Sequence, residues 1–350
     1  MTYMQFTALN QNYKNSIMLW LITLTIMVFL IIIIGGLTRL TDSGLSMVDW
    51  QPILGTIPPL NNNQWMDVFN DYKLTPEFLY VNKNMTLDEF KYIFWWEWFH
   101  RFFARLIGIV FIIPFIYFLI KKNLNSFFYK RFSIIFSLGL FQAVVGWWMV
   151  KSGLSDDPFV SPYRLTFHLT NAVIIYALLL WTSVEYYHLK SANFISIRSK
   201  NILILISIIL VFVTILSGGF MAGSHAGQSF NTYPLMNGKI IPDDIYLEDL
   251  GFLNMFENTA TINFNHRWIA TITFIYTFSF FSYLIFKKVI NLSNQIIISV
   301  LLILTLQFLL GIMALLSNVS IYYGSLHQTN SIALLSILLV AYFKSKITGV

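Results

Sequence analysis

Eight stretches of this chain are long and apolar enough to cross a bilayer as helices: 17–38, 98–120, 131–150, 163–184, 201–222, 266–286, 294–316 and 322–343. A hydrocarbon core about 30 Å thick takes roughly 20 helical residues, so each run spans it once. The charge content agrees, since only 11% of the 350 residues are charged, less than half the share of about 25% in soluble domains. Too few charges remain for a polar skin, which excludes a soluble fold, and the apolar composition excludes disorder. The first run is too long for a signal-peptide core and no small-residue cleavage site follows it, so it reads as a retained span.

Charge placement then orients the spans. Lys121, Lys122, Lys130 and Arg131 lie in the second connection, Lys190, Arg198 and Lys200 in the fourth, and Lys287 and Lys288 in the sixth. Lys14, Lys344 and Lys346 near the termini fall on the same side, which the positive-inside rule makes cytoplasmic. Of the 16 acids, all but Glu185 fall on the other side, in the segments 39–97, 152–162 and 223–265. Two of these outer segments exceed ordinary connections and read as functional caps. The formal charge of +6 therefore reflects topology and gives no support to nucleic-acid binding.

The two halves of the chain repeat each other. Gly35-Gly36-Leu37 closes the first span as Gly218-Gly219-Phe220 closes the fifth, and each is followed by an aromatic–proline pair, Trp50 with Pro52 and Tyr233-Pro234. His100-Arg101 matches His266-Arg267; Gln142 and Gly146 match Gln307 and Gly311; His168 and Asn171 match His327 and Asn330. An even number of spans per half gives the repeats one orientation, related by an axis along the membrane normal. The expected fold is an all-α integral membrane protein with eight transmembrane helices in two pseudo-symmetric four-helix bundles, 1–190 and 191–350.

The chain has no cysteine, which removes disulfides, thiolate metal sites and iron–sulfur clusters. Of its six histidines, His188 reads as a solvated residue of a cytoplasmic turn and His225 as a structural or solvent-facing residue of an outer turn. The other four begin spans two, four, six and eight at the outer side, as two matching pairs. Ionisable groups in spans are costly and default to function. Two imidazoles facing across a bundle suit the axial positions of a heme iron, whereas zinc wants three or four ligands that neither half supplies. Heme propionates need cations, and Arg39, Arg101, Arg105, Arg164 and Arg267 lie near the outer boundary. Snorkelling to headgroups is the competing reading for each of them.

One position separates the halves. Glu97 lies three residues before His100, on the same helical face, where the second half has Asn263 before His266. A carboxylate near a heme edge moves protons or stabilises a developing cation, and an amide does neither. This places the reaction in the first half and an electron-transfer heme in the second. The plainer alternative is an interfacial acid paired with Arg101.

Taken together, these motifs resemble the heme A synthases, in their cysteine-free alphaproteobacterial and mitochondrial form, from about residue 17 to 343. The most specific stretches are Gly35 through Gly44, Trp50-Gln-Pro52, Pro58-Pro59, Phe94 through Gly108, Gly146 through Gly153, Ser161-Pro-Tyr-Arg164 with His168, Phe230 through Met236, Phe264 through Arg267 and Leu326-His-Gln328. The resemblance implies an oxidoreductase that converts heme O to heme A, oxidising the C8 methyl to a formyl group by successive hydroxylations, for cytochrome oxidase. It implies His266 and His327 as axial ligands of a heme b cofactor, with Arg267 beside it. His100 and His168 would face the iron of the substrate heme O, and Glu97 would be needed for turnover. It further implies a bacterial inner membrane location with both termini cytoplasmic, an unidentified membrane electron carrier, and a heme O synthase as a candidate partner. Another branch of the family carries a cysteine pair in its outer loops, so no thiol step from that branch applies here.

Three rivals remain open on the residues alone. They are a diheme electron-transfer cytochrome, a transporter built on parallel repeats, and a heme carrier that returns heme O unchanged.

Overall fold

The computed structural model describes residues 2–5, 13–49, 54–155, 157–191, 194–197, 201–287 and 292–346. Trp50, Gln51, Pro52, Arg198, Lys200 and Lys288, used above, lie outside the described residues. All eight runs are helical: α1 (Lys14–Leu40), α4 (Leu87–Ile120), α5 (Ser126–Ser152), α6 (Pro162–Ser191), α7 (Ile202–Gly223), α9 (Thr259–Lys287), α10 (Asn294–Leu316) and α11 (Ile321–Lys346). Each is long and apolar enough to cross a membrane. The protein is an all-α integral membrane protein, with one short antiparallel ribbon pairing β1 (Thr2–Gln5) with β2 (Phe194–Ile197).

Helix α1 packs on α4 and α6, and α5 links α4 to α6; α7, α9, α10 and α11 repeat that ring in the same order. The halves meet where α1 lies on α11 and α6 on α7, with α6 against α11 between them. Polar bonds pin these helices at depth. Trp20 Nε1 donates to the Val110 carbonyl at 2.8 Å, Thr25 Oγ1 and Ser183 Oγ are 3.0 Å apart, and Tyr176 Oη and Ser336 Oγ meet at 2.7 Å across the halves. On the face of the termini, Arg131 pairs with Glu185, the one acid the charge pattern left there. His188 differs from its reading as a turn residue. Helix α6 continues through it, and its ring packs 5.2 Å from that of Phe343.

Two spans begin earlier than hydropathy indicates. Helix α4 starts at Leu87, capped by a reciprocal Thr86–Glu89 box, because its first turns pack on a cap rather than in lipid. Helix α9 starts at Thr259, directly after the short α8 (Asn254–Glu257). Glu97, His100 and His266 therefore sit inside continuous helices, where their side-chain directions are fixed.

The cap over the first half contains α2 (Asn62–Tyr72) and α3 (Pro76–Tyr80). Trp65, Phe69 and Tyr72 pack with Phe90, Ile93 and Phe94 of α4 into a buried aromatic cluster. Its edge holds a buried acid, Glu77, which accepts from Tyr72 Oη at 2.9 Å; Asn82 Nδ2 donates to the same oxygen at 2.8 Å. Burial pushes the Glu77 carboxyl up from 4.5 to about 8, with Glu97 and Asp42 adding to the rise and the Tyr72 bond and Arg39 opposing it. Between those two values the folded cap holds a proton that the unfolded chain has released, so stability falls as pH rises through that window. Glu77→Gln is expected to remove this slope. Thermal melts of the detergent-purified protein should show wild type losing stability relative to the variant from about pH 5 to about pH 8. Parallel profiles would place the proton elsewhere.

Candidate functional site

The four outer histidines share one construction. Each ring rests on a glycine of a neighbouring helix, and at Gly146 and Gly311 so closely that a side chain would force a shift. A Cβ on Gly35 would lie 3.1 Å from His100 Cε1, on Gly146 2.9 Å from His168 Cε1, on Gly218 3.4 Å from His266 Cε1, and on Gly311 2.8 Å from His327 Cε1. The sequence supplied these glycines only as repeat landmarks. Their role as ring walls required the helix pairing.

In the second half the two imidazoles face each other, ring centroids 6.5 Å apart and planes at 86°. Two imidazoles bound through Nε2 to one iron, at about 2 Å each, have centroids roughly 6.3 Å apart. Their other nitrogens are held. His266 Nδ1 lies 2.8 Å from Ser217 Oγ, which donates on to the Thr214 carbonyl at 2.8 Å, so the ring is the donor and its Nε2 carries the lone pair. His327 Nδ1 lies 3.2 Å from Gln307 Nε2, and Gln307 Oε1 accepts from Asn330 Nδ2 at 3.0 Å. Neither Nε2 has a protein partner among the described residues. The Ser217 bond orients the His266 ring and raises its basicity, and the Gln307 amide orients the His327 ring. The pair fits a bis-imidazole heme iron, and among the described residues no group of three or more His, Cys, Asp or Glu is assembled for a bare metal ion.

The first half repeats the frame but leaves His100 without a tether. Asn171 Nδ2 donates to Gln142 Oε1 at 2.7 Å, as in the second half, yet Gln142 Nε2 lies 3.3 Å from His168 Nε2. His100 Nδ1 and His168 Nδ1 are both buried with no hydrogen-bond partner. The position of Ser217 is taken by Ile34, and those of Thr214 and Thr273, whose hydroxyls meet at 2.9 Å, by Ile31 and Ile107. The two sites therefore share backbone geometry and differ in how firmly their imidazoles are held.

Glu97 is buried and fully engaged. One oxygen accepts from Ser46 Oγ at 2.7 Å and the Met47 amide at 2.8 Å, the other from Arg101 Nη2 at 2.5 Å. Arg101 also donates to the Met47 carbonyl at 3.0 Å. Asn263 and Arg267 form the matching pair: Asn263 Nδ2 donates to the Ala226 carbonyl at 2.7 Å, and Arg267 Nε donates to Asn263 Oδ1 at 2.7 Å. Arg267 then holds the outer loop through the Thr232 and Phe230 carbonyls at 2.8 and 2.5 Å. In both halves, then, a polar residue and an arginine one turn later tie down the outer loop over the histidine site.

The remaining cations are placed by similar ties. Arg39 donates to the Ala222 carbonyl, pairs with Asp42 at 2.5 Å and meets His225 Nε2 at 2.7 Å, which joins the outer ends of the two halves. Burial and the Arg39 guanidinium hold the His225 imidazole below its ordinary pKa, so it stays neutral beside the cation. Arg164 donates to the Trp148 carbonyl at 2.8 Å and lies over the Trp148 ring, and Arg105 donates to the Gly55 carbonyl at 3.4 Å. Sequence reasoning found these arginines and missed the carbonyls they bind, because main-chain acceptors carry no residue signature.

Comparison with known proteins adds an independent line. Residues 18–339 match the model of the family described as cytochrome oxidase assembly protein. The chain is 39% identical over 335 residues to a heme A synthase of Nitrosomonas eutropha, covering 94% of each chain. It is 42% identical over 329 residues to a heme A synthase of Nitrosospira multiformis, covering 92% of this chain and 91% of that one. A heme A synthase of Flavobacterium psychrophilum is 40% identical over 331 residues, covering 92% and 96%.

Proposed function

The chain belongs to the heme A synthase family of cytochrome oxidase assembly proteins, and from that membership we propose how its two histidine sites divide the conversion of heme O to heme A. As an oxidoreductase of this family it acts on heme O and needs a heme-type cofactor. The first half, 1–190, takes heme O between His100 and His168 and oxidises its C8 methyl to formyl by successive hydroxylations. The second half, 191–350, holds heme b between His266 and His327. One observation carries the division: His266 Nδ1 is held by Ser217, whereas its counterpart His100 Nδ1 is buried with no partner. A tethered imidazole suits a resident cofactor, and an untethered one suits a ligand that must arrive and leave.

Bound heme b supplies one-electron redox chemistry. Ser217 keeps the His266 proton on Nδ1, and Gln307 orients His327. Arg267 uses three of its N–H groups on Asn263, Thr232 and Phe230, and the others are assigned to a propionate. In the first half the carboxylate of Glu97, held by Ser46, Met47 and Arg101, stands one turn from His100. A fixed negative charge there favours cationic character at the carbon being oxidised. The outer loops tied by Arg101 and Arg267 exclude water from both sites. The acids gathered in the outer loops and the bases near the termini support an inner-membrane orientation with both termini cytoplasmic. A membrane electron carrier takes the electrons, and a heme O synthase is the source of substrate.

The test is chemical. Protein purified from cells that also make heme O is extracted, and its hemes are identified by mass. Heme b together with a formyl heme is the expected result. Heme b and unchanged heme O would make the protein a carrier, and two permanent b-type hemes would make it an electron-transfer cytochrome.

A further inference from the structure

Gln328 follows His327 on α11, yet its side chain crosses into the other half. Its Nε2 donates to the Ile32 carbonyl of α1 at 2.7 Å. Its amide lies so close to Gly36 that a Cβ there would fall 1.8 Å from Oε1. The same turn of α1 carries Gly35, the wall on which the His100 ring rests. That wall matters because His100 Nδ1 is buried without a hydrogen-bond partner, so packing alone holds the ring. His266 has no such need, being tethered by Ser217. The symmetry-related position of Gln328 is Leu169, and that of Gly36 is Gly219, whose nearest neighbour is Thr166 Oγ1 at 3.0 Å from a built Cβ. The crossing amide is therefore made on one side of the pseudo-axis and not on the other. A polar side chain among apolar helices bonds across them, since lipid offers no alternative partner.

We propose that Gln328 is a positioning residue through which the second half holds α1 in register and so fixes His100 for the ligand of the first site. This rests on the reading of His100 and His168 as the heme O site. The two halves are then not independent cofactor holders. The residue next to a heme b ligand sets the geometry of the substrate ligand on the far side of the interface.

Two variants test this from opposite sides. Gln328→Met keeps the volume and removes the donor, and Gly36→Ala displaces the amide without changing any residue of α11. Each protein, with its second-half heme in place, is titrated with heme O and followed by absorbance. The dissociation constant is expected to rise about tenfold in each, the usual scale for losing an outer support of a ligand. The second-half spectrum should not change. The double variant should be no weaker than either single variant, because both act through one contact. Unchanged heme O binding overturns the proposal. So does an effect in the double variant equal to the product of the singles, or a second-half spectrum that shifts along with affinity. A wild-type protein that fails to bind heme O fails the functional reading and takes this proposal with it; the wild-type titration tells the two failures apart.

Discussion

Gly311→Ala is expected to strip heme b from the second half, weakening its retention about 10- to 100-fold, while Gly218→Ala leaves it within about threefold. Both replacements add one methyl to a helix facing a ligand histidine. The difference lies in the space available: the new carbon would meet His327 Cε1 at 2.8 Å but His266 Cε1 at 3.4 Å, an ordinary contact. His327 cannot turn away without losing Gln307, and its ring must leave the line to His266. His266 absorbs its methyl and keeps Ser217. His327→Ala sets the lower limit, with no bis-imidazole spectrum at all. Heme content per chain by pyridine hemochrome, compared across the three variants, is the measurement. Equal retention in the two glycine variants would mean that the walls do not hold the rings. Gly146→Ala, at 2.9 Å from His168 Cε1, tests the same physics on the substrate side.

The second large effect is at Glu97. Glu97→Gln is expected to reduce heme A formation by about 100-fold or more while heme b stays bound. The carboxylate receives the Ser46 hydroxyl, the Met47 amide and Arg101. An amide in its place turns an NH2 toward one of these donors and leaves the Arg101 cation without its partner. Breaking a largely buried pair in this way costs about 3–5 kcal/mol, so the outer loop also loosens. Two readouts separate the consequences: extracted heme A reports the chemistry, and limited proteolysis around 41–49 reports the loop. Loss of product with the loop still protected assigns the charge to the substrate. Loss of both assigns Glu97 to holding the loop, and full product formation removes it from the reaction.

Glu97 also shows where reading the chain by itself stops. The contrast with Asn263 was legible, and so was the chance of pairing with Arg101, because both depend on helical spacing. That Ser46 and Met47 close the carboxylate on its other side was not legible, since they come from a loop some fifty positions away. The arginines behaved alike. Their nearness to the outer boundary was correct, but Arg101 and Arg267 are tied to loop carbonyls and Arg39 to a carbonyl in the last turn of α7, a use that only three-dimensional proximity reveals.

The sequence by itself determined the eight helices, the internal repeat and the four histidines at matching places, because hydropathy, charge and spacing act along the chain. Tertiary structure decided what those places mean. Which glycine faces which imidazole depends on how neighbouring helices are rotated and how closely they cross. The tethering of His266 by Ser217, the bare Nδ1 of His100 and the reach of Gln328 to Ile32 depend on the same rotations. Two halves nearly identical in pattern thereby hold their imidazoles with unequal firmness, and that inequality exists only between helices.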